Sequence, residues 1–148
     1  EVDVICFPFF RQGEAINCKY RDLQKNFRMV AGAERILFGI DHIDDEALVW
    51  VEGEMDKLSL YEAGIKSCVS VPDGAPAPNT KNYSSKFDYF ESITERLLSV
   101  KRHIIAVDND EPGIRLQSEL VRRLGPEKCS LVTWPANCKD ANDVLRKY

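Results

Sequence analysis

Three acidic clusters carry the chemistry of this chain. VWVEGEMD spans 49–56, IIAVDNDEPG spans 104–113 and KDAND spans 139–143, and a short apolar run precedes each of them. Runs of β-branched and aliphatic residues predict buried parallel strands. Glu52, Asp108 and Asp110 are then expected at strand carboxyl ends, where open α/β sheets place their ligands, with Asp140 on the same rim after SLVTW. Carboxylates that share a rim repel one another unless a cation neutralises them. A hard divalent ion such as Mg²⁺ or Mn²⁺ suits oxygen ligands and in turn attracts phosphate.

Local context sharpens this. Gly53 directly after Glu52 lets the backbone turn and admits close approach by a phosphate, and Asp56 follows one helical turn later, able to face the same point. A helix N-cap is the competing reading for Asp56. Asp108 and Asp110, separated only by Asn109, share a face in extended backbone and suit one ion. Capping of the following helix competes there, at Asp110 or Glu111 ahead of Pro112. Lys139, beside Asp140, is a candidate phosphate contact.

The elements that position these residues follow from periodicity. Residues 1–45 predict a small β-rich unit: VICFPFF, a turn at Gln12 and Gly13, AINCKYR returning, and a third short strand within Asn26 to Val30. From 46 onward, apolar strands near 48–51, 68–71, 103–107 and 130–134 alternate with helical stretches, the pattern of a parallel sheet with crossover helices. Leu116, Leu120, Val121 and Leu124 recur at helical spacing before Gly125, Met55 to Ala63 ends likewise at Gly64, and helices are also expected over Tyr89 to Val100 and Ala141 to Tyr148. PDGAPAPNTKNYSSK, 72–86, predicts a mobile loop at the carboxylate rim.

Composition bounds the answer. With 148 residues, 44% of them hydrophobic, the chain can bury one sizeable core. A net charge of -4 argues against wholesale coating by nucleic acid, but Arg11, Lys19, Arg21, Lys25, Arg28 and Arg35 outnumber Glu14, Asp22 and Glu34 in their stretch. The five cysteines are odd in number and lack the two-residue spacing of zinc ribbons or redox pairs. No apolar run is long enough to span a membrane, and no signal-like segment opens the chain. His42 and His103 read as ordinary surface residues, Trp50 as core, and Phe7, Phe9, Phe10 and Tyr20 as core of the β unit in preference to a base-stacking platform.

EGEMD after a strand, the Asp-x-Asp-x-x-Gly of AVDNDEPG, and CKDANDVL resemble, in this order, the TOPRIM domain shared by bacterial-type primases, topoisomerases and some nucleases. CKDANDVL and VSVPDGAP (69–76) look most like the phage-type primase-helicases and their organellar, Twinkle-like relatives, including plant homologues. FPFFRQGEAINCKYRDLQKNF followed by ERILFG resembles the basic lobe that completes a primase's RNA polymerase region. The resemblance implies a Rossmann-like α/β TOPRIM sheet of about four parallel strands flanked by helices over 46–148, with the basic lobe over 1–45. It implies a DNA primase core that joins NTPs into short RNA primers on a single-stranded DNA template in organellar replication, in mitochondrion or chloroplast, with a replicative helicase or DNA polymerase as further partner and no membrane. Glu52, Asp108 and Asp110 would be catalytic, and Glu52, Asp56, Asp108, Asp110 and Asp140 would hold Mg²⁺ or Mn²⁺. Lys19, Arg21, Lys25 and Lys139 would bind nucleotide or template, with the lysines and arginine of the lobe in solvent; Arg28 is a weaker candidate.

Two departures leave alternatives open. Asn142 stands where other primases carry a second aspartate, and the chain has neither a Cys-rich zinc motif nor the G-x-x-x-x-G-K-[ST] of a helicase motor. A metal-dependent nuclease and a non-catalytic module that binds Mg²⁺ or single-stranded DNA therefore remain rival functions.

Overall fold

The computed structural model describes residues 3–148; the first two residues of the β-rich segment lie outside that range. An antiparallel sheet is built from β1 (Val4–Arg11), β2 (Glu14–Asp22) and β3 (Phe27–Met29) in the order β1-β2-β3. Gln12 and Gly13 both adopt positive φ, 53° and 78°, the twist that a two-residue hairpin loop needs to match its strands. Phe7 and Phe9 alternate inward from β1 and pack with Ile36 and Phe38 into a small core. Phe10, beyond a bulge in the ladder, is 43% exposed, so aromatic residues do supply this core but not all of them are in it.

The second sheet is parallel. It contains β4 (Leu48–Val51), β5 (Cys68–Ser70), β6 (His103–Ile105) and β7 (Cys129–Leu131) in the order β5-β4-β6-β7, with helices α1 (Glu54–Glu62), α2 (Tyr83–Lys86), α3 (Thr94–Ser99), α4 (Glu111–Leu124) and α5 (Ala141–Lys147) between and after its strands. This is the α/β arrangement expected of four parallel strands flanked by helices. β4 is wholly buried, as its unbroken LVWV run requires. The chain leaves β4 towards one side of the sheet and β6 towards the other, so a crevice opens between their carboxyl ends. An antiparallel bridge from Phe38 to Ser70 ties the segment after the small sheet onto the edge of the large one.

Two expectations are corrected. The helix expected over Tyr89 to Val100 is a 3-10 turn over Asp88–Ile93 leading into α3. Phe87, Phe90 and Ile93 are all buried at a spacing of three, the period of a 3-10 helix and not of an α-helix. His103 is not a surface residue: it is 1% exposed, and its Nδ1 accepts a hydrogen bond of 3.1 Å from Trp50 Nε1, which satisfies the indole N–H inside the core. Burial lowers its pKa to about 4 and keeps it neutral. No helix among the described residues is long and apolar enough to cross a membrane.

The carboxylate cluster and the basic wall facing it

Glu52 leaves the end of β4, Asp56 sits in the first turn of α1, Asp108 follows β6 and Asp140 caps α5. One carboxylate oxygen from each of Asp56, Asp108 and Asp140 lies within 4.8 Å of the others. Asp56 is not a helix cap; Gly53 holds that position in extended backbone. Its Oδ1 instead accepts the Asn142 amide N–H (3.0 Å), while Asn142 Oδ1 accepts from the Ser59 hydroxyl (3.2 Å), which joins α1 to α5. Asn142 therefore has a structural use at the position where a further acid is absent.

Asp110 has a different place. Its side chain caps α4 by accepting the Gly113 N–H at 2.8 Å, and it lies outside the three-carboxylate group, although its charge still reaches Glu52 and Asp108. The glycine of the Asp-x-Asp-x-x-Gly run is explained by close approach. A Cβ on Gly113 would stand 1.9 Å from the Asp108 carbonyl oxygen, so only glycine lets the start of α4 close onto the residue that presents the central carboxylate.

The electrostatics are those of an anionic cluster short of countercharge. Burial, then the charges of Asp108, Asp110 and Asp56, raises Glu52 to a pKa of about 7. Burial, then Asp140 and Asp108, raises Asp56 to about 7 against the donated Asn142 hydrogen bond. Asp108 is raised too, chiefly by burial. Lys139 supplies a nearby cation, with Nζ 3.1 Å from Asp108 Oδ2 and 3.3 Å from Asp140 Oδ2; burial opposes its charge, but the two carboxylates outweigh burial and its pKa rises. Among the described residues, Glu52 Oε1 accepts only a long 3.4 Å bond from the Ala75 N–H, and its buried Oε2 has no partner. An all-carboxylate donor set with an orphaned buried oxygen beside it fits a hard, oxygen-seeking divalent cation.

A groove of about 890 Å³ joins this cluster to the small sheet. Arg21, Lys25, Arg28 and Phe27 line one wall, and Glu52, Asp56, Asp108 and Asp140 the other. Arg21 is half-buried with its Nε unpaired among the described residues, and its guanidinium lies 5.8 Å from the Phe27 ring centre. Lys19 differs from the solvated side chain expected of it. It is 9% exposed, and its Nζ donates to Glu54 Oε1 and to the Pro72 carbonyl, each at 2.8 Å. Two of its three protons are thus committed to joining the two sheets, because the first residue of α1 and the segment after β5 both reach the face of β2 that carries Lys19.

The 72–86 segment does lie at the rim, and it is tied down. Arg35 pairs with Asp73 and Asp88, Lys86 Nζ donates to the Asp73 carbonyl (2.8 Å), and Arg115 Nε donates to the Pro76 carbonyl (3.1 Å). Glu54, Arg35, Phe27 and Arg146 were not anticipated as part of this region. Glu54 carries no signal of its own in the sequence, but Arg146 lies four residues beyond Asn142, one turn along α5 towards the same groove.

Comparison with known proteins agrees with this geometry. The model of a family described as Toprim-like matches residues 49–145. The chain is 44% identical to a primase homolog protein of Arabidopsis thaliana and 41% identical to the chloroplastic/mitochondrial Twinkle homolog protein of the same plant. Each alignment takes in 96% of this chain, but only 46% and 22% of those relatives, so the chain spans less than half their length. The primase fragment of the bacteriophage T7 primase-helicase superposes with a TM-score of 0.76 at 26% identity, over 96% of this chain and 57% of that one. A DnaG primase catalytic domain bound to single-stranded DNA shares the fold, with a TM-score of 0.67 at 18% identity, over 97% of this chain and 48% of that one. The segments that converge on the carboxylate cluster are thus the ones the family model spans, and the chain belongs to the Toprim-like family, as a Toprim domain of the primase type.

Proposed function

We propose that this chain is the RNA polymerase core of a DNA primase, which joins ribonucleotides on a single-stranded DNA template through a divalent cation. One observation carries the reading: a single groove has metal-suited carboxylates on one wall and, on the other, basic side chains without an acidic partner among the described residues beside an exposed aromatic ring. A nuclease needs the first wall and a passive binding module the second, whereas primer synthesis needs both within reach of one nucleotide.

Asp56, Asp108 and Asp140 would hold the cation, with Asp110 shaping the field from its capping position and Glu52 Oε2 as the remaining free acceptor on the rim. The bound ion, Mg²⁺ or Mn²⁺, would stabilise charge on the attacking 3′-oxygen and on the departing pyrophosphate. Lys139 shields the carboxylates and is placed to meet a phosphate as the ion takes over that role. Arg21, Lys25 and Arg28 follow template or nucleotide phosphates, and Phe27, 54% exposed, offers a face for a base. Lys19, held by Glu54, fixes the basic wall at its working distance and has one proton left for the groove.

The likeness to a chloroplastic/mitochondrial Twinkle homolog and to a phage primase-helicase supports a role in organellar DNA replication, in mitochondrion or chloroplast, alongside a replicative helicase or a DNA polymerase. The test is synthesis of oligonucleotides from labelled NTPs on single-stranded template with Mg²⁺ and with Mn²⁺, for the wild type and for Asp108→Asn, with a zinc-binding template-reading segment supplied in trans. Product from the wild type alone supports the reading. Template binding with no product from either chain replaces it with the binding module, and template cleavage replaces it with the nuclease.

A further inference from the structure

Helix α1 is inverted. It buries Glu54, Asp56, Lys57 and Ser59 while Met55, Leu58 and Tyr61 are 37%, 42% and 39% exposed. Glu54 and Asp56 face the groove and Ser59 bonds Asn142, but Lys57, 3% exposed, serves none of these contacts. Its stem crosses Gly39 so closely that a Cβ there would stand 2.7 Å from Lys57 Cε, and its head lines a second cavity of about 580 Å³ at the junction of the two sheets. Among the described residues that line the carboxylate groove, only Phe7 also lines this cavity.

Lys57 Nζ lies 3.1 Å from His42 Nδ1 and 4.4 Å from the Tyr61 ring centre. Among the described residues no carboxylate pairs with it. Asp41 also borders the cavity, but its two oxygens accept the Gln12 and Gly13 amides at 2.7 and 2.9 Å. An ammonium has three protons; one is used on His42 and an aromatic face substitutes for the rest. A buried cation without a counter-ion is costly, and the missing partner is an anion. Exposed Phe10, Leu58 and Tyr61 extend the cavity into an apolar rim on the protein surface.

We propose that this cavity docks an acidic segment of a partner protein, with a carboxylate paired to Lys57 and an adjacent apolar side chain laid on Leu58, Tyr61 and Phe10. The charge complementarity comes from the unpaired lysine, and the choice of a protein segment from the apolar rim. The site is independent of the primase reading, since it leaves the carboxylate groove open.

The test titrates isotope-labelled protein with four capped hexapeptides that join Asp or Glu to Leu or Phe, and with their Asn and Gln counterparts, followed by amide chemical shifts. Saturable shifts at Gly39, His42, Leu58 and Tyr61, with about tenfold tighter binding of an acidic peptide than of its amide counterpart, are expected. Lys57→Met should remove that preference. Leu58→Glu, on the exposed rim where the fold is not at risk, should weaken acidic peptides by about tenfold as well. Absence of saturable shifts for all four, equal binding of acid and amide peptides, or a preference that survives both variants overturns the proposal. Binding of 3-phenylpropionate as tight as that of the best peptide overturns the protein partner and assigns the cavity to a small organic acid.

Discussion

Lys19 of β2 and Glu54 of α1 form an ion pair 2.8 Å long, with side chains only 11% and 3% exposed, at the seam between the two sheets. Burial raises the Glu54 pKa and the lysine opposes that rise. Because both partners are desolvated, removing one leaves the other uncompensated. Lys19→Ala should cost about 3 kcal/mol in urea unfolding, whereas Lys19→Met with Glu54→Leu should cost much less. Equal losses in the single and double variants would show that the pair contributes nothing specific.

The carboxylate cluster makes stability depend on pH and metal together. Unfolded, Glu52 and Asp56 release protons near 4.5 and 3.8; folded and metal-free, they hold them to about 7. The folded chain therefore binds more protons across that window, and this contribution to stability falls as the pH rises through it. His103, lowered to about 4, acts in the opposite sense over part of the same range, so the metal-dependent difference is the informative quantity. The rise in melting temperature caused by about 5 mM Mg²⁺ should be small near pH 5.5 and reach its plateau by about pH 8. A pH-independent rise would contradict the cluster as the binding site.

Replacing the central acid separates repulsion from ligation. Asp108→Asn should raise the melting temperature of the metal-free protein, because it removes the negative charge from one of three carboxylates whose oxygens crowd within 4.8 Å, and should abolish the Mg²⁺ response. Differential scanning calorimetry with and without the ion reads both effects.

Gly113→Ala tests close approach. With the added carbon 1.9 Å from the Asp108 carbonyl oxygen, α4 has to move, and a loss of about 3 kcal/mol or more is expected in chemical denaturation. Gly32→Ala is the control: it has a positive φ of 73° but open space around it, and it should lose only about 1 kcal/mol.

Along the groove, Arg21→Ala with Lys25→Ala should leave the fold intact and flatten the salt dependence of single-stranded DNA binding by about 0.7 for each phosphate no longer neutralised. Glu52→Gln should act on product and not on affinity, cutting primer synthesis ~100-fold, equivalent to about 2.7 kcal/mol of transition-state stabilisation. A parallel fall in DNA affinity would place Glu52 in binding instead of chemistry.

Much of this protein was decided within short stretches of chain. Unbroken apolar runs such as LVWV gave buried parallel strands, Leu116, Leu120 and Leu124 gave the inner face of α4, and acids directly after strands arrived at one rim, because a strand end and the turn after it are local consequences of sequence. Gln12 and Gly13 likewise announced their own hairpin. Which acids share one point was not local. Asp108 and Asp110 are neighbours in sequence, yet the group that forms is Asp56, Asp108 and Asp140, because α5 docks on α1 through a hydrogen bond between residues 86 positions apart while Asp110 turns to cap α4. Strand alternation likewise put Lys19 and Arg21 on one face of β2 without telling whether water or protein would cover it. Only the tertiary structure decided that, with Glu54 at the start of α1 and the Pro72 carbonyl closing over Lys19 and Arg21 left on the groove, since burial belongs to what packs against a face and not to the face itself.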